Sequence, residues 1–392
     1  MKFKKITDID LQNKVVFIRC DMNVPIQADV ITDDTRIQAS LTTINYALQN
    51  NACVIVATHL GRPKEGQCTA VDSVQIIADK LSQLLNCRIP VVKDISHKIM
   101  FTDSKIVMLE NVRCNVGEKN NSQELGEVYA TLCDVFVHDA FATAHRAEAS
   151  TDSIGMYAKE VCAGFLMSQE LDALSNAVSN PKHPIVAIVA GSKVSTKLTI
   201  LENLAKKVDY LIVGGGILNT FLAATGVNVA KSLFEPELIE KSKQIMEMMQ
   251  SRGAMIPLPK DVIVATEFSS NASATQKNIH ELSDVDMILD IGNDFAQQLA
   301  EVITKSGTII WNGPVGVFEF AQFANGTRVI ANSIANSNGF SLAGGGDTIA
   351  AINKFNVLDK ISYVSTAGGA LLEFLEGKKL PAIELLEQRG IK

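Results

Sequence analysis

Several common sequence signatures are missing from this chain of 392 residues. Its seven cysteines are odd in number, all precede residue 163, and none forms a C-x-x-C pair. That usage predicts neither a disulfide framework nor a zinc site. The first twelve residues, MKFKKITDIDLQ, contain no apolar stretch long enough for a signal peptide. We therefore expect a cytoplasmic protein in a reducing compartment.

The chain also lacks an uninterrupted membrane-spanning segment. Residues 211–230 carry no charge and are long enough to cross a bilayer. However, three glycines at 214–216 and the polar residues Asn219, Thr220 and Asn228 interrupt this run. The pattern instead predicts a buried strand, a glycine loop and a buried helix, with no membrane partner.

An excess of positive charge is absent as well. The chain has 36 lysines and arginines against 43 aspartates and glutamates, a formal net charge of -7. This balance argues against a nucleic-acid partner or an anionic membrane surface. It does not exclude a local cationic cleft, because the net charge does not show how charges are distributed. With 47% hydrophobic residues the chain can bury large cores, and a prior of roughly 150 residues per domain predicts two or three domains.

Short β-branched runs alternate with longer helical patterns along the whole chain. This rhythm is typical of parallel sheets covered by helices on both faces, and thus of the α/β class. A domain boundary is predicted within 166–184, a helical pattern that ends in two prolines. The predicted strands are 15–20, 53–58, 105–109, 134–137, 184–190, 210–213, 261–265, 286–291, 307–311, 340–343 and 361–365.

Polar and cationic residues follow the strands of the first half. Ligands of such sheets bind beyond the carboxyl ends of the strands, so these residues are expected to meet. One arginine alone would be typical of a solvated surface, but the shared placement favours a pocket for a small polyanion, since guanidinium groups suit carboxylate and phosphate oxygens. The residues are Asp21, Asn23, Arg36, His59, Arg62, Arg113 and Arg146.

Glycines and two lysines follow the strands of the second half. Glycines let backbone amides approach phosphates, and a helix N-terminus adds partial positive charge, so a nucleotide site is predicted. Lys193 and Lys197, four residues apart, are expected on one face of a starting helix. No Walker loop is present, because Val186 stands where its first glycine is needed, and no G-x-G-x-x-G occurs. The segments are GSKVSTK at 191–197, GGG at 214–216, WNGPVGVFE at 311–319, GGGDT at 344–348 and STAGG at 365–369.

Taken in order, these motifs closely resemble the phosphoglycerate kinase family. The resemblance rests on RCDMNVP, HLGRP, LENVR, DAFATAHRA, GSKVSTK, WNGPVGVFE, GGGDT and STAGGA, between positions 19 and 370. It implies two Rossmann-like, doubly wound parallel-sheet domains that face each other across a cleft and close by hinge bending near 166–184 and 368–376. The phosphoglycerate-binding domain would be 1–170 with 376–392 packed back on it. The nucleotide-binding domain would be 171–375, preceded by an interdomain helix.

The resemblance also implies reversible, Mg²⁺-dependent phosphoryl transfer between ATP and the carboxylate of 3-phosphoglycerate, by a monomer. It assigns the seven polar residues of the first half to the phosphoglycerate pocket, and it gives Arg19 a structural role. Lys197 would contact phosphates, Glu319 the ribose and Asp347 the Mg²⁺. The further nucleotide-binding residues would be Gly214, Asn312, Gly345, Gly346 and Thr348. The catalytic residues would be Arg36, Lys193, Gly368 and Gly369.

Three positions depart from the family pattern. Ala142 replaces a common glycine, Glu148 stands where a neutral or basic residue is frequent, and Ala367 replaces the first glycine of a glycine run. A Cβ at position 367 would be costly if the loop required left-handed torsions there. Two alternatives stay open: a two-domain binding protein without chemistry, and a non-catalytic scaffold. Neither would require Arg36, Lys193 and Asp347 together.

Overall fold

The computed structural model describes residues 2–390, and the chain within that range divides into two compact units. The first unit comprises the residues up to Asp172 together with those from Lys379 onward, and the second comprises Ala173–Lys378.

Strands occur where the β-branched runs predict them, with several short additions. The strands are β1 Val15–Cys20, β2 Ile26–Gln27, β3 Val30–Ile31, β4 Cys53–Ala57, β5 Val91–Val92, β6 Ile106–Leu109, β7 Val135–Asp139, β8 Glu160–Ala163, β9 Ile185–Ala190, β10 Tyr210–Gly214, β11 Asp261–Ala265, β12 Thr275–Asn278, β13 Met287–Ile291, β14 Thr308–Asn312, β15 Phe340–Gly344 and β16 Tyr363–Ser365.

Helices fill most of the intervals between the strands. They are α1 Thr35–Gln49, α2 Gln75–Leu85, α3 Gln123–Thr131, α4 Ser153–Tyr157, α5 Phe165–Leu174, α6 Leu198–Ala205, α7 Gly216–Ala224, α8 Ile239–Ser251, α9 Asn293–Thr304, α10 Asn325–Ala335, α11 Gly346–Lys354, α12 Gly369–Leu375 and α13 Pro381–Gly390. Within residues 2–390 no helix combines the length and apolar character needed to cross a membrane.

The first unit is built on a parallel sheet with the strand order β5-β6-β4-β1-β7-β8 in its described part. Strand β1 lies in the middle, where Ile18 is paired with Val56 of β4 and Val137 of β7. These residues have no exposed surface, as expected for strands covered on both faces. Because all neighbours in this sheet are parallel, the carboxyl ends of β1, β4, β6 and β7 lie at one edge.

The second unit contains a parallel sheet with the order β10-β9-β14-β15-β16. A separate antiparallel sheet, β12-β11-β13, packs Ile263, Leu289 and Phe323 into a small core of its own. The α/β class is thus confirmed for both units. The expectation that 261–265 and 286–291 continue the βαβ series is wrong, because the intervening segment holds only β12, whereas a parallel crossover needs a longer connection, usually a helix.

The helical pattern predicted at the domain boundary corresponds to α5. Its first turn is held by side chains of the first unit: Phe165 N–H donates to Thr43 Oγ1 at 3.0 Å, and Met167 N–H donates to Asp139 Oδ1 at 3.1 Å. The helix continues as a π-helical turn, Ser175–Ser179, and ends before Pro181, which cannot extend it.

One covalent link contradicts the sequence analysis. Cys68 and Cys114 form a disulfide with their Cα atoms 5.5 Å apart, so the expectation of a chain without disulfides is wrong. The two residues are separated by 46 positions and share no C-x-x-C spacing. Their proximity arises because both lie in segments that follow neighbouring strands, β4 and β6.

We predict that the buried carboxyl group of Asp139, which accepts a hydrogen bond from the first turn of α5, makes the free energy of unfolding depend on pH. Burial raises the pKa of Asp139 from its ordinary value of 3.8 to about 6, although hydrogen bonds from Thr43 and Met167 oppose the shift. A raised acid pKa contributes stability that is complete below the unfolded pKa and is lost as the pH rises through the folded one. The free energy of unfolding of the wild type should therefore fall by about 2 kcal/mol relative to Asp139→Asn between about pH 4.5 and about pH 7.5.

Urea unfolding at several pH values measures this difference, with the exposed carboxylate variant Asp10→Asn as the control. A constant difference between wild type and Asp139→Asn across this range would contradict the raised pKa.

Candidate active site

Polar side chains meet just beyond the carboxyl end of β1. Arg36, in the first turn of α1, donates from Nη1 to Asp21 Oδ2 at 2.9 Å and to the Asn23 carbonyl at 3.3 Å. The Asn23 Oδ1 accepts the Gly61 N–H at 3.0 Å. These bonds connect the segment after β1 with α1 and with the loop after β4. Asp21 and Asn23, which directly follow β1, therefore organise this edge of the sheet.

Arg19 lies beneath this edge and has no exposed surface. Its Nε donates to Ser150 Oγ at 2.8 Å, and its Nη1 donates to the carbonyl of Cys20. Ser150 Oγ donates in turn to Glu118 Oε1 at 2.5 Å. Burial raises the pKa of Glu118 to about 7, against the opposing effect of Arg19. Full burial and these contacts agree with the structural role predicted for Arg19.

His59 is enclosed by positive charge. The side chain is buried, and its Nδ1 lies 3.4 Å from Arg19 Nη2. Burial lowers the pKa of His59 to about 2, and the charges of Arg19, Arg113, Arg146 and Arg36 lower it further in that order. His59 is therefore neutral at physiological pH, and it offers hydrogen bonds rather than charge to an anion.

Arg113 and Arg146 approach His59 from the segments after β6 and β7. Arg113 is nearly buried, and it donates from Nη1 to the Gly61 carbonyl at 2.9 Å and from Nη2 to Glu148 Oε1 at 3.2 Å. Arg146 points Nε toward His145 Nε2 at 3.2 Å. Arg62 is exposed in the loop after β4. The predicted anion residues thus gather at one sheet edge, with Arg62 at its exposed margin.

Glycines bring two loops of the second unit into close contact. Gly214 ends β10 and Gly216 begins α7, with Gly215 at φ +65° between them. A Cβ at Gly216 would lie 2.1 Å from the Ser192 carbonyl oxygen, and one at Gly214 would lie 2.5 Å from Val315 Cα. No other residue fits here without displacing backbone.

Lys197, Asn312 and Thr348 connect the ends of three neighbouring strands. Lys197 Nζ donates to Asn312 Oδ1 at 2.6 Å and to the Ala190 carbonyl at 2.7 Å. Asn312 Nδ2 donates to the Gly344 carbonyl at 2.7 Å, and Thr348 Oγ1 accepts the Gly313 N–H at 2.8 Å. Burial lowers the pKa of Lys197 to about 8, against the effect of Asp347. Most of its population stays charged at neutral pH.

The position of the two lysines differs from the prediction. Helix α6 begins only at Leu198, so Lys193 and Lys197 lie in the preceding turn rather than on one helix face. That turn is held by Glu235, whose carboxylate accepts the N–H and Oγ–H of Ser195 at 2.9 and 2.6 Å. Lys193 is exposed and Lys197 is half-buried as a result.

A cavity of about 710 Å³ opens beside these loops, entirely within the second unit. Its walls are mainly apolar, and Glu319 and Asp347 lie among the polar lining groups. Such a composition suits a planar base with a polar ribose and phosphate end. The sequence analysis missed most of the apolar walls. Phe268, Met287, Leu289 and Phe320 lie outside the quoted motifs, whereas Val317 belongs to WNGPVGVFE.

The last predicted loop contains Gly368 and Gly369. Gly368 has φ +50° and directly precedes α12, which begins at Gly369. Ala367 is not among the described residues with positive φ. The concern that its Cβ would oppose left-handed torsions is therefore removed, because the left-handed residue is the glycine that follows it.

A bound metal would depend on groups other than this chain for most of its ligands. Within the described residues, no three His, Cys, Asp or Glu side chains lie together as a metal site. Asp347 is an exposed carboxylate on the wall of the cavity, beside the buried Thr348. One carboxylate fits Mg²⁺ in its usual nucleotide complexes, where phosphates and water supply the other oxygens.

A cationic pocket at one sheet edge and a base-sized cavity at another are typical of a phosphotransferase. The sequence model described as Phosphoglycerate kinase matches residues 6–378, so the chain belongs to the phosphoglycerate kinase family. It is similar to the structure of phosphoglycerate kinase from Coxiella burnetii, with 49% identity, a TM-score of 0.97 and coverage of 99% of this chain and 100% of that one. It is also similar to phosphoglycerate kinase from Pyrococcus horikoshii OT3, with 30% identity, a TM-score of 0.76 and 99% coverage of both chains.

Replacing Lys197 with methionine should weaken nucleotide binding. The variant keeps much of the buried stem but loses the ammonium group that donates to Asn312 Oδ1 and to the Ala190 carbonyl. A hydrogen bond from a charged group contributes about 1.5–3 kcal/mol, so the dissociation constant for ADP should rise roughly 10- to 100-fold. Isothermal titration calorimetry measures it, with the exposed Lys206→Met as the control. Equal affinities for Lys197→Met and the wild type would exclude a phosphate contact.

Proposed function

We propose that this kinase transfers the γ-phosphoryl group of ATP reversibly to the carboxylate of 3-phosphoglycerate, forming ADP and 1,3-bisphosphoglycerate. One observation carries the proposal: Arg36, Arg113 and Arg146 act electrostatically on a neutral, buried His59 at the sheet edge of the first unit, where the fully buried Arg19 adds a further positive charge. A strongly cationic pocket with a neutral hydrogen-bonding centre is suited to a small phosphorylated acid. Family membership supports the same reaction.

The chemistry requires no general base. The acceptor is a carboxylate with an ordinary pKa near 3.5, so it is already ionised at neutral pH. Catalysis then consists of holding two anions in line and stabilising charge on the transferring group. Burial and the neighbouring arginines lower the pKa of His59 to about 2, so without an anion the imidazole is neutral and serves as a hydrogen-bonding group.

In the first unit, each group would bind a different part of the substrate. Asp21 and Asn23 would bind the glycerate hydroxyl region, while Arg36 would extend toward the phosphoryl group in transfer. The ion pair with Asp21 supports this orientation, because it fixes one nitrogen of Arg36 while 41% of the side chain stays exposed. The distal phosphate would be held by His59, Arg62, Arg113 and Arg146.

In the second unit, the cavity would take the base and Glu319 the ribose. Lys197 and Thr348 would bind the phosphates, together with the backbone amides of Gly345 and Gly346 at the start of α11, where the helix dipole favours negative charge. Further amides at Gly368 and Gly369, with Lys193, would stabilise the transferring group. Asp347 would hold Mg²⁺, which supplies positive charge that neutralises the nucleotide phosphates.

Because Arg36 and Lys193 would act on one phosphoryl group, the proposal requires the two units to approach each other during the reaction. In-line transfer needs reacting atoms about 3–3.5 Å apart. We further propose that the protein acts in the cytoplasm, with 3-phosphoglycerate and ATP as its small-molecule partners, and that it acts as a monomer.

The function is tested by the consumption of ATP by purified protein with and without 3-phosphoglycerate. ADP formation that depends on both 3-phosphoglycerate and Mg²⁺ is the expected result. Binding of both compounds without turnover would instead favour the alternative of a binding protein without chemistry. ATP hydrolysis that is independent of 3-phosphoglycerate would exclude the proposed acceptor.

We predict that Arg36→Ala lowers kcat by roughly 10³-fold or more, because transition-state arginines of phosphoryl transfer contribute on that scale. Nucleotide affinity should change little, since the nucleotide cavity belongs to the second unit. Steady-state kinetics measures both parameters, with the exposed Arg88→Ala as the control. Near-normal turnover of Arg36→Ala would remove this residue from the mechanism.

We predict that Asp347→Ala raises KM for the Mg-nucleotide complex and lowers kcat. The variant loses the carboxylate that would bind the metal, so a higher Mg²⁺ concentration should be needed for half-maximal rate. Titration of the rate with Mg²⁺ at fixed ATP measures this requirement. Asp359→Ala, an exposed carboxylate elsewhere in the unit, is the matched control. An unchanged Mg²⁺ requirement would assign the metal to another ligand.

A further inference from the structure

A buried carboxylate lies where the proposed phosphate pocket would be expected to hold only cations. The Glu148 side chain is 8% exposed. Its backbone is fixed by a tight turn, in which Glu148 N–H donates to Thr151 Oγ1 at 3.2 Å and the Glu148 carbonyl accepts the Asp152 N–H at 2.8 Å. The turn therefore fixes the point from which the side chain starts, and the bond to Arg113 Nη2 fixes where its carboxylate lies.

The two carboxylate oxygens of Glu148 have different surroundings. Oε1 accepts a hydrogen bond from Arg113 Nη2 at 3.2 Å. Oε2 is buried and has no hydrogen-bond partner among the described residues. A carboxylate with one unpaired oxygen is costly to bury. It also disfavours the binding of a second anion nearby, because like charges repel strongly where water is excluded.

Arg113 is held at both ends of its guanidinium group. Nη1 donates to the Gly61 carbonyl at 2.9 Å, while Nη2 donates to Glu148. The side chain is 7% exposed. Glu148 thus does two things at once: it fixes the direction of the guanidinium group, and it offsets its charge.

The neighbouring arginines are compensated to different degrees. Arg36 forms an ion pair with Asp21, and Arg19 is linked through Ser150 to Glu118. Arg146 is in contact with the imidazole of His145, which is not a carboxylate. Glu148 therefore removes one positive charge from the side of the pocket where Arg113 and Arg146 would hold the distal phosphate.

We propose that Glu148 is a positioning residue that fixes Arg113 while weakening the affinity of the pocket for the phosphate of the substrate, an inference that rests on the proposed function. An incoming phosphate shares Arg113 with a carboxylate that repels it. The pocket consequently binds its substrate less tightly than the number of arginines implies, and it releases the anion more readily.

The two roles of Glu148 can be separated by two variants. Glu148→Gln keeps an oxygen for Arg113 Nη2 and removes the negative charge, so KM for 3-phosphoglycerate should fall roughly tenfold, at the low end of couplings between close charges. Glu148→Ala also removes the anchor of Arg113, so its KM should be clearly higher than that of Glu148→Gln. KM for ATP should stay unchanged in both variants. Salt should change the fall in KM for Glu148→Gln only little, because charges buried from solvent are screened much less than exposed ones.

Binding of 3-phosphoglycerate without nucleotide, measured by isothermal titration calorimetry, separates this inference from the proposed function. If the wild type binds no 3-phosphoglycerate, both fail together. If the wild type binds it and Glu148→Gln binds it no more tightly, the role of Glu148 is overturned while the proposed function stands. Tighter binding by Glu148→Gln but not by Glu127→Gln, which removes an exposed charge from α3, supports the proposal.

Discussion

The buried guanidinium group of Arg19 is the charge on which the first unit depends. A cation without exposed surface must be surrounded by acceptors, and these come from separate parts of the chain: Cys20 on its own strand, Ser150 after β7, and His59 after β4. The contacts that surround Arg19 therefore hold together the segments that carry the proposed anion pocket. Burial keeps His59 neutral and the charge of Arg19 adds to this effect, while the same charge opposes the raised pKa of Glu118. Folding and pocket electrostatics share one origin here.

Periodicity and composition predicted the strands that run through the centres of the two parallel sheets. Such strands are buried on both faces, so β-branched residues fill them and the signal is strong. Strand β8 was missed because Glu160–Ala163 is short and begins with a charged residue at the edge of its sheet. The antiparallel sheet and the Cys68–Cys114 disulfide were missed because both arise from tertiary proximity, which has no local pattern.

The positions of Arg36 and Lys197 in the fold were easier to predict than their surroundings. Each follows a strand of its own unit, and topology alone brings such positions to the carboxyl edge of that unit's sheet. The pairing of Arg113 with Glu148 and the apolar wall at Phe268 depend on how loops fold, which the motifs do not encode. The backbone at Ala367 illustrates the same limit: a sequence departure suggested strain, yet the left-handed torsion belongs to the neighbouring Gly368.

Helix α13 has a consequence for how the protein is made. Leu385 and Leu386 are buried, Leu385 lies where a Cβ at Gly155 would collide with it, and Arg389 donates to the carbonyls of Ala158 and Lys159. During translation these contacts become available only after the whole second unit has been synthesised. The first unit, although synthesised earlier, therefore leaves the apolar surface beside β8 uncovered until α13 has been made.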